Sequence, residues 1–219
     1  MEDRPLGPAE LPNLGPPSTP RPAASVVLLR RGGVHSQRSL EVLLLQRTTE
    51  ARFMPGVWVF PGGALDPGDG EGEEGHRACA IRELAEEASI ELPLEEELVP
   101  FCRWITPEVI ATRFDARFFL ALAPAHTPPK PDGVEMTAAA WYAPVDALAA
   151  HAAGDLPISF PTLTQLQMLK PFRTSEEALA AHRGRPMETT LPKVIGDGDQ
   201  RRVVLPSDPD YPADGPAGG

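Results

Sequence analysis

Three carboxylates, Glu83, Glu86 and Glu87, fall within HRACAIRELAEEA (His76 to Ala88), a stretch of helical composition that stops before Pro93. At roughly 100° per residue, with Glu83 at zero, Glu86 lies near 300° and Glu87 near 40°, so the three share one face. Ile81, Leu84, Ala85 and Ala88 fall on the opposite side, between about 100° and 200°, where a buried apolar stripe is expected. A solvated helix face intersperses Lys or Arg four residues away, but Glu83 has Cys79 and Glu87 at those positions, and Glu87 has Glu83 and Glu91. Only Glu86 has a basic partner, Arg82. Like charges at this spacing destabilise a helix by about 0.2–0.5 kcal/mol per pair. A hard divalent cation with oxygen ligands would turn that cost into attraction, so the pattern points to a metal site, with a plain acidic surface as the alternative.

The acidity is concentrated around this helix. The chain carries 20 basic and 31 acidic residues, a formal net charge of −11, and 12 of the acidic residues lie between Asp66 and Glu97 against Arg77 and Arg82 alone. Such a surface repels a polyanion unless divalent cations stand between, so nucleic acid is not an expected partner. No apolar run approaches the roughly 20 residues of a membrane helix, and a membrane-spanning protein is not expected. Two cysteines and an N-terminus without an apolar signal core point to a cytoplasmic location.

These residues need a scaffold to position them. SVVLLRR (Ser25 to Arg31), EVLLLQR (Glu41 to Arg47) and VWVF (Val57 to Phe60) read as buried strands, the last ended by Pro61, Gly62 and Gly63. Further strands are expected at Leu98 to Ile105, Phe114 to Ala121 and Glu135 to Tyr142, and helices at Val145 to Ala153, Leu163 to Leu169 and Glu176 to His182. A terminal hairpin is expected to turn around Gly196 to Asp199. Strands and helices mix without strict alternation, which favours an α/β sandwich with a mixed sheet over a doubly wound parallel one. Residues 1–23 and 207–219 are rich in proline and read as disordered arms around one domain at 24–206.

Gly62 and Gly63 after a strand, then Glu74, then Arg82-Glu83-Leu84-Ala85-Glu86-Glu87-Ala88-Ser89-Ile90 resembles the Nudix box, G-x5-E-x7-R-E-U-x-E-E-x-G-U with U a bulky apolar residue. Glu74 and Arg82 are separated by the seven residues of that motif. Five residues separate Gly68 from Glu74, whereas the glycine following the FPG turn corresponds to Gly63 and leaves ten between; Asp66 to Glu73 is therefore read as holding an insertion of about five residues. Ser89 replaces the last glycine of the box, at a position expected to end the helix in a left-handed conformation. Outside the box, Trp104 to Pro107, Arg113 to Asp115, Phe118 and Phe119, Asp132, Glu135 and Pro161-Thr162 resemble the coenzyme A diphosphatase-like branch.

The resemblance implies an α/β/α sandwich and an Mg²⁺- or Mn²⁺-dependent pyrophosphohydrolase acting on a nucleoside diphosphate linked to another moiety, with coenzyme A or acyl-coenzyme A foremost. It implies Glu83, Glu86 and Glu87 as metal ligands, Arg82 as the residue orienting Glu83, and Glu135 as an added ligand or general base, with Glu83 the rival base. Arg47, Gly63 and Arg113 are the expected substrate contacts, and a homodimer is compatible with this reading. ADP-ribose, NADH or dinucleoside polyphosphates are alternative substrates, and a silent nucleotide-binding sensor is the alternative class. Gly70 to Gly75 also spells G-x-G-x-x-G, but no strand runs directly into it and its three glutamates would face a pyrophosphate. The five histidines lack zinc-like spacing and read as surface residues, while Met54 and the Phe114, Phe118, Phe119 group read as core.

Overall fold

Apolar residues alternate sides along the central strands, and that alternation serves helices on both faces of the sheet. The computed structural model describes residues 15–32, 40–51, 54–93, 97–196 and 200–212. In chain order the strands are β1 (Arg21–Arg31), β2 (Leu40–Arg47), β3 (Trp58–Val59), β4 (Gly62–Ala64), β5 (Val99–Ile105), β6 (Phe114–Leu122), β7 (Met136–Tyr142), β8 (Glu188–Thr190), β9 (Lys193–Ile195) and β10 (Arg202–Val204). The helices are α1 (Gly72–Ala88), α2 (Pro144–Ala152), α3 (Phe160–Leu169) and α4 (Ser175–His182). Ala24, Val26 and Leu28 of β1, with Leu43, Leu45, Phe119 and Ala121, pack against Leu84 and Ala88 of α1. Their neighbours Val27, Leu29, Val42, Leu44 and Leu120 face the other way, against Ala147, Leu166, Leu169 and Leu179 of the remaining helices. The fold is the expected α/β/α sandwich.

The sheet is mixed. β1 runs parallel to β6 from Arg21 to Leu29, while β5 is antiparallel to β6 and parallel to β8. β1 and β2 pair only through Leu29–Arg31 and Leu40–Val42, and the segment 58–64 fills the wedge where they part. β3 pairs with β2 at Leu45 and Gln46, β4 pairs with β1 at Ala23–Ser25, and β7 pairs with β2. Among the described residues no helix is long and apolar enough to cross a membrane.

Several elements depart from the sequence reading. The Gly-Gly-Ala segment, expected as the stop of a strand, is itself a strand, because its backbone groups find partners on β1 despite its low β-propensity. β8 was likewise not anticipated. β1 begins at Arg21, inside the segment read as a disordered arm, and Ser18 before it donates its hydroxyl to Ala111 O at 3.0 Å. Residues 207–212 also pack on the domain: Tyr211 donates to Leu191 O at 2.8 Å and Arg202 pairs with Asp210. β9 and β10 form the expected antiparallel pair, while 197–199 of its turn lie outside the described residues. His76, read as a surface residue, is buried with Nδ1 2.6 Å from Gly72 O.

The buried arc of α1 also differs from expectation. Cys79, Ala80, Leu84, Glu87 and Ala88 are all buried, so Glu87 lies within the packed side of the helix and not opposite it. β4 approaches the helix over the carboxylate face, which is why that face is not left to solvent. The helix ends at Ser89 with φ 53° and ψ 37°, its N–H bonded to Ala85 O at 3.0 Å. A Cβ in this left-handed conformation is unfavourable, and the Ser89 hydroxyl bonds Lys130 O at 3.2 Å. Comparing Ser89→Gly with Ser89→Ala removes that hydroxyl in both and leaves the backbone difference. Ser89→Gly is expected to be more stable than Ser89→Ala by about 1 kcal/mol in urea unfolding.

Candidate active site

The site is built where two glycines of β4 meet the carboxylates of α1. A Cβ on Gly62 would lie 2.1 Å from Ser25 Oγ, and one on Gly63 would lie 2.3 Å from Glu83 Oε1. Without side chains, β4 fits between β1 and the helix, and Gly62 N–H donates to Glu87 Oε2 at 2.9 Å. Glu87 is 4% exposed. Burial pushes its carboxyl up to about 8, and the neighbouring charges of Glu83 and Glu135 act in the same direction, against the Gly62 amide and Arg47. Burial also raises Glu83, with Arg82 opposing and Glu86 and Glu135 adding to the rise. Glu86 stands at the rim, its side chain 59% exposed.

Glu135 comes from outside the helix. It precedes β7 in a loop where Asp132 Oδ1 accepts the N–H groups of Val134, Glu135 and Met136 at 2.9–3.0 Å. Glu135 lines the same cleft as Glu83, Glu86 and Glu87.

Arg82 links this group to the turn before the helix. Its Nη1 donates to Glu83 Oε1 and Glu86 Oε2, both at 2.9 Å. Its other edge forms a two-point contact with Asp69, Nε to Oδ1 at 2.9 Å and Nη2 to Oδ2 at 2.8 Å, and Nη2 also reaches Ala64 O at 3.3 Å. The Arg82 hydrogen bonds hold the Asp69 carboxyl below its usual range. Among the described residues no three His, Cys, Asp or Glu side chains converge closely enough to enclose a metal ion. Arg82 occupies the space between Glu83 and Glu86 as the local counter-charge. The donor set nonetheless fits a hard divalent cation: a buried glutamate, a half-buried one and a third at the rim are all oxygen donors, and the charge of Glu86 makes Glu83 harder to ionise as that of Glu83 does Glu87. Cys79, beside Asp69 and Glu83, has its thiol pushed up to about 12 by burial, so it is a packing residue.

A cleft of about 610 Å³ opens over these carboxylates. Its lining includes the glutamates, Arg82 and Arg47 together with an apolar set, Trp104, Ile110, Phe114, Phe118 and Phe160. Trp104 and Phe160 meet edge to face with centroids 5.8 Å apart. Of the residues read as core, Met54 and Phe114 line the cleft, Phe118 belongs to the core and also borders the cleft, and Phe119 is fully buried against α1. Gly63 and Arg47 line it as expected. Arg113 does not: it is buried, and its guanidinium bonds Thr106 O at 3.0 Å and Ser18 O at 2.6 Å, so it braces backbone instead of facing substrate. Arg21, which has no motif around it in the sequence, lines the cleft with its guanidinium 6.0 Å from the Phe114 ring centroid. Asp69 was also missed, because its contact with Arg82 spans 13 residues through a turn.

Comparison with known proteins gives a consistent picture. The model of the NUDIX domain matches residues 19–161. A Caenorhabditis elegans protein named nudix hydrolase 7 is 40% identical over 70 residues, covering 32% of this chain and only 22% of that relative's length. The acyl-coenzyme A diphosphatase NUDT19 of Xenopus laevis is 22% identical over 273 residues, covering 80% of this chain and 72% of that protein. A NUDIX hydrolase crystal structure from Alicyclobacillus acidocaldarius superposes with a TM-score of 0.67 at 26% identity, covering 77% of this chain and 99% of that one.

Glu87→Gln tests whether the buried carboxylate is there for a cation. The amide oxygen can keep the Gly62 N–H bond, while the like charge beside Glu83 is removed. At pH 8 in chelator the variant is expected to melt at or above the wild-type temperature. On addition of Mn²⁺ the wild type is expected to shift upward and the variant to stay within about 1 °C, since only a ligand that binds the native state raises Tm.

Proposed function

The chain belongs to the Nudix family, and on that premise we propose that it is a divalent-metal-dependent diphosphatase that cleaves a nucleoside diphosphate linked to another moiety, with coenzyme A and its acyl derivatives foremost. The observation that carries this reading is the pairing of buried Glu87 with half-buried Glu83 under a cleft, with Glu86 at the rim. Two like charges withdrawn together from bulk water are costly unless a cation joins them.

Glu83, Glu86 and Glu87 are the residues that would hold Mg²⁺ or Mn²⁺, with Glu135 as a further ligand or the base. Once bound, the metal would neutralise phosphate oxygens and lower the pKa of a nearby water. Arg82 fixes the Glu83 carboxylate through Nη1, a charge-assisted bond of 2.9 Å. The Gly62 amide fixes Glu87 in the same way. A carboxylate at the cleft, Glu135 or Glu83, takes the proton of the attacking water. Oxygen from that water bonds to one phosphorus as the bridging P–O bond breaks, giving a nucleoside monophosphate and a phosphorylated second product. Arg47 and Arg21 are placed to meet substrate anionic groups, and the apolar wall suits a non-ionic portion of substrate. The proposed catalytic unit covers residues 24–206 together with the start of β1.

The relative named as an acyl-coenzyme A diphosphatase supports coenzyme A compounds as the first candidates. Coenzyme A, acetyl-coenzyme A, ADP-ribose, NADH and diadenosine tetraphosphate, ranked by kcat/KM at fixed Mg²⁺, decide between them. A lead of at least about tenfold for coenzyme A compounds, roughly 1.4 kcal/mol at the transition state, is the expected result. A comparable lead for another substrate would keep the family and discard the branch, whereas tight nucleotide binding without turnover would favour a sensor. Chelation is expected to abolish turnover. Glu86→Gln is expected to lower kcat at least about 100-fold with the fold intact by circular dichroism.

A further inference from the structure

The guanidinium of Arg82 is shared between two sets of acidic groups, and the sharing is unequal. Asp69 takes one edge in a two-point contact at 2.9 and 2.8 Å, while Glu83 and Glu86 each receive a single bond from Nη1. The planar fork of arginine matches a carboxylate best in the two-point arrangement, so Asp69 sets the plane and the glutamates accept what that plane leaves free. Asp69 is itself held. Its side chain is 5% exposed, and Oδ2 also accepts the Asp66 N–H at 2.8 Å across the short turn Pro67–Asp69. Ala64 O, from the strand that carries Gly62 and Gly63, takes a further bond from Nη2.

We infer that Asp69 is the positioning residue of the proposed metal site, holding Arg82 by its Nε and Nη2 edge so that Glu83 and Glu86 stay available to a divalent cation. Arg82 is the cation that bonds both of these glutamates directly. With Asp69 neutralised, Nε loses its ionic partner and Nη2 keeps only the 3.9 Å ionic contact to Asp66 Oδ2, so the guanidinium can turn toward Glu83 and Glu86 and compete with the metal for their oxygens. With Asp69 in place, its charge draws off part of the guanidinium's, and a cation can displace Nη1 without releasing Arg82 from the turn. Asp69 touches no substrate; it acts through Arg82. The inference rests on the metal-dependent reading proposed above, and the test separates the two.

Mn²⁺ affinity of the full chain, by isothermal titration calorimetry, is measured beside kcat and KM for Asp69→Asn, Asp69→Glu, Arg82→Ala and the double variant Asp69→Asn/Arg82→Ala. Asp69→Asn is expected to weaken Mn²⁺ binding and lower kcat by about 10- to 100-fold each, as for other groups that orient metal ligands. KM is expected to stay within about threefold, and Asp69→Glu to recover part of both losses. In the Arg82→Ala background the same Asp69→Asn change should alter Mn²⁺ affinity by less than about twofold, because its route of action is gone. Equal losses in both backgrounds would overturn the inference, as would wild-type Mn²⁺ affinity in Asp69→Asn with only a lowered Tm. Should Asp69→Asn fail to fold, Asp69→Ser, which keeps an acceptor for the Asp66 amide, carries the same comparison. If the wild type hydrolyses none of the substrates yet Asp69→Asn still weakens Mn²⁺ binding through Arg82, the inference stands and the proposed activity falls.

Discussion

A buried glutamate and a half-buried one pack against the two glycines of β4, and much of the sheet is arranged so that this contact can be made. Glu87 and Glu83 need polar partners once removed from water, and the partners available are the Gly62 amide and the Arg82 guanidinium. The amide can reach Glu87 only if β4 lies directly on α1. That in turn requires β1 and β2 to part after three paired residues and admit the segment 58–64 between them. Gly62 fits because it has no Cβ to strike Ser25, and Gly63 because it has none to strike Glu83. The wedge in the sheet, the two glycines and the buried carboxylates are thus one structural solution.

Most of the architecture was legible in the chain because it is written in periodicity. The runs around Val26, Leu43 and Phe119 read as strands, and each does sort its side chains alternately to α1 and to the other helices. Propensity and periodicity could not reveal β4, since Gly-Gly-Ala has neither, and its pairing is decided by what lies beside it. The helical wheel grouped Glu83, Glu86 and Glu87 on one face of α1, opposite the expected buried stripe, and read it as a metal site, but gave no sign that β4 would cover it. Wheel geometry says which residues stay together; whether a strand will cover them is a tertiary matter. At the chain ends, proline content suggested disorder, yet Ser18 is held by Arg113 and Tyr211 by the Leu191 carbonyl.

The site was legible where the chemistry is local and obscure where it is assembled from afar. Four residues of α1 could be named because they sit within six positions. Glu135 could be named from the resemblance, and its loop is shaped by Asp132, whose carboxylate gathers successive amides. Arg113 failed as a substrate contact because its neighbours in space are carbonyls, which absorb its donors. Asp69 escaped for a different reason. Motif spacing drew attention to Glu74, eight residues before Arg82, but in α1 that residue is exposed in the first turn, two turns from the arginine. Asp69 lies in the turn before the helix, where the chain folds back alongside Arg82. Counted from Gly63, it also stands after five intervening residues, so the added residues follow the carboxylate that contacts Arg82 and lengthen the start of the helix.

On the proposed reading, the charged and the apolar residues of the cleft divide the task of recognition. On the carboxylate side, charges are fixed by short bonds to backbone and arginine, which suits a group whose reacting atoms must be held within tenths of an ångström. Trp104, Phe160, Phe114 and Phe118 instead offer broad apolar area with few directional demands. Such a surface contributes binding through buried area and tolerates variation in the group it receives, whereas the charged side discriminates sharply by charge and position. The two sets come from different parts of the fold: the charged one from α1, the end of β2 (Arg47) and the loop before β7 (Glu135), the apolar one from β5, β6 and the start of α3. On the proposed reading the reacting linkage and the larger body of the substrate would be met by separate elements, so that substitutions on β5 or α3 would change the preferred substrate while the α1 carboxylates kept the same chemistry.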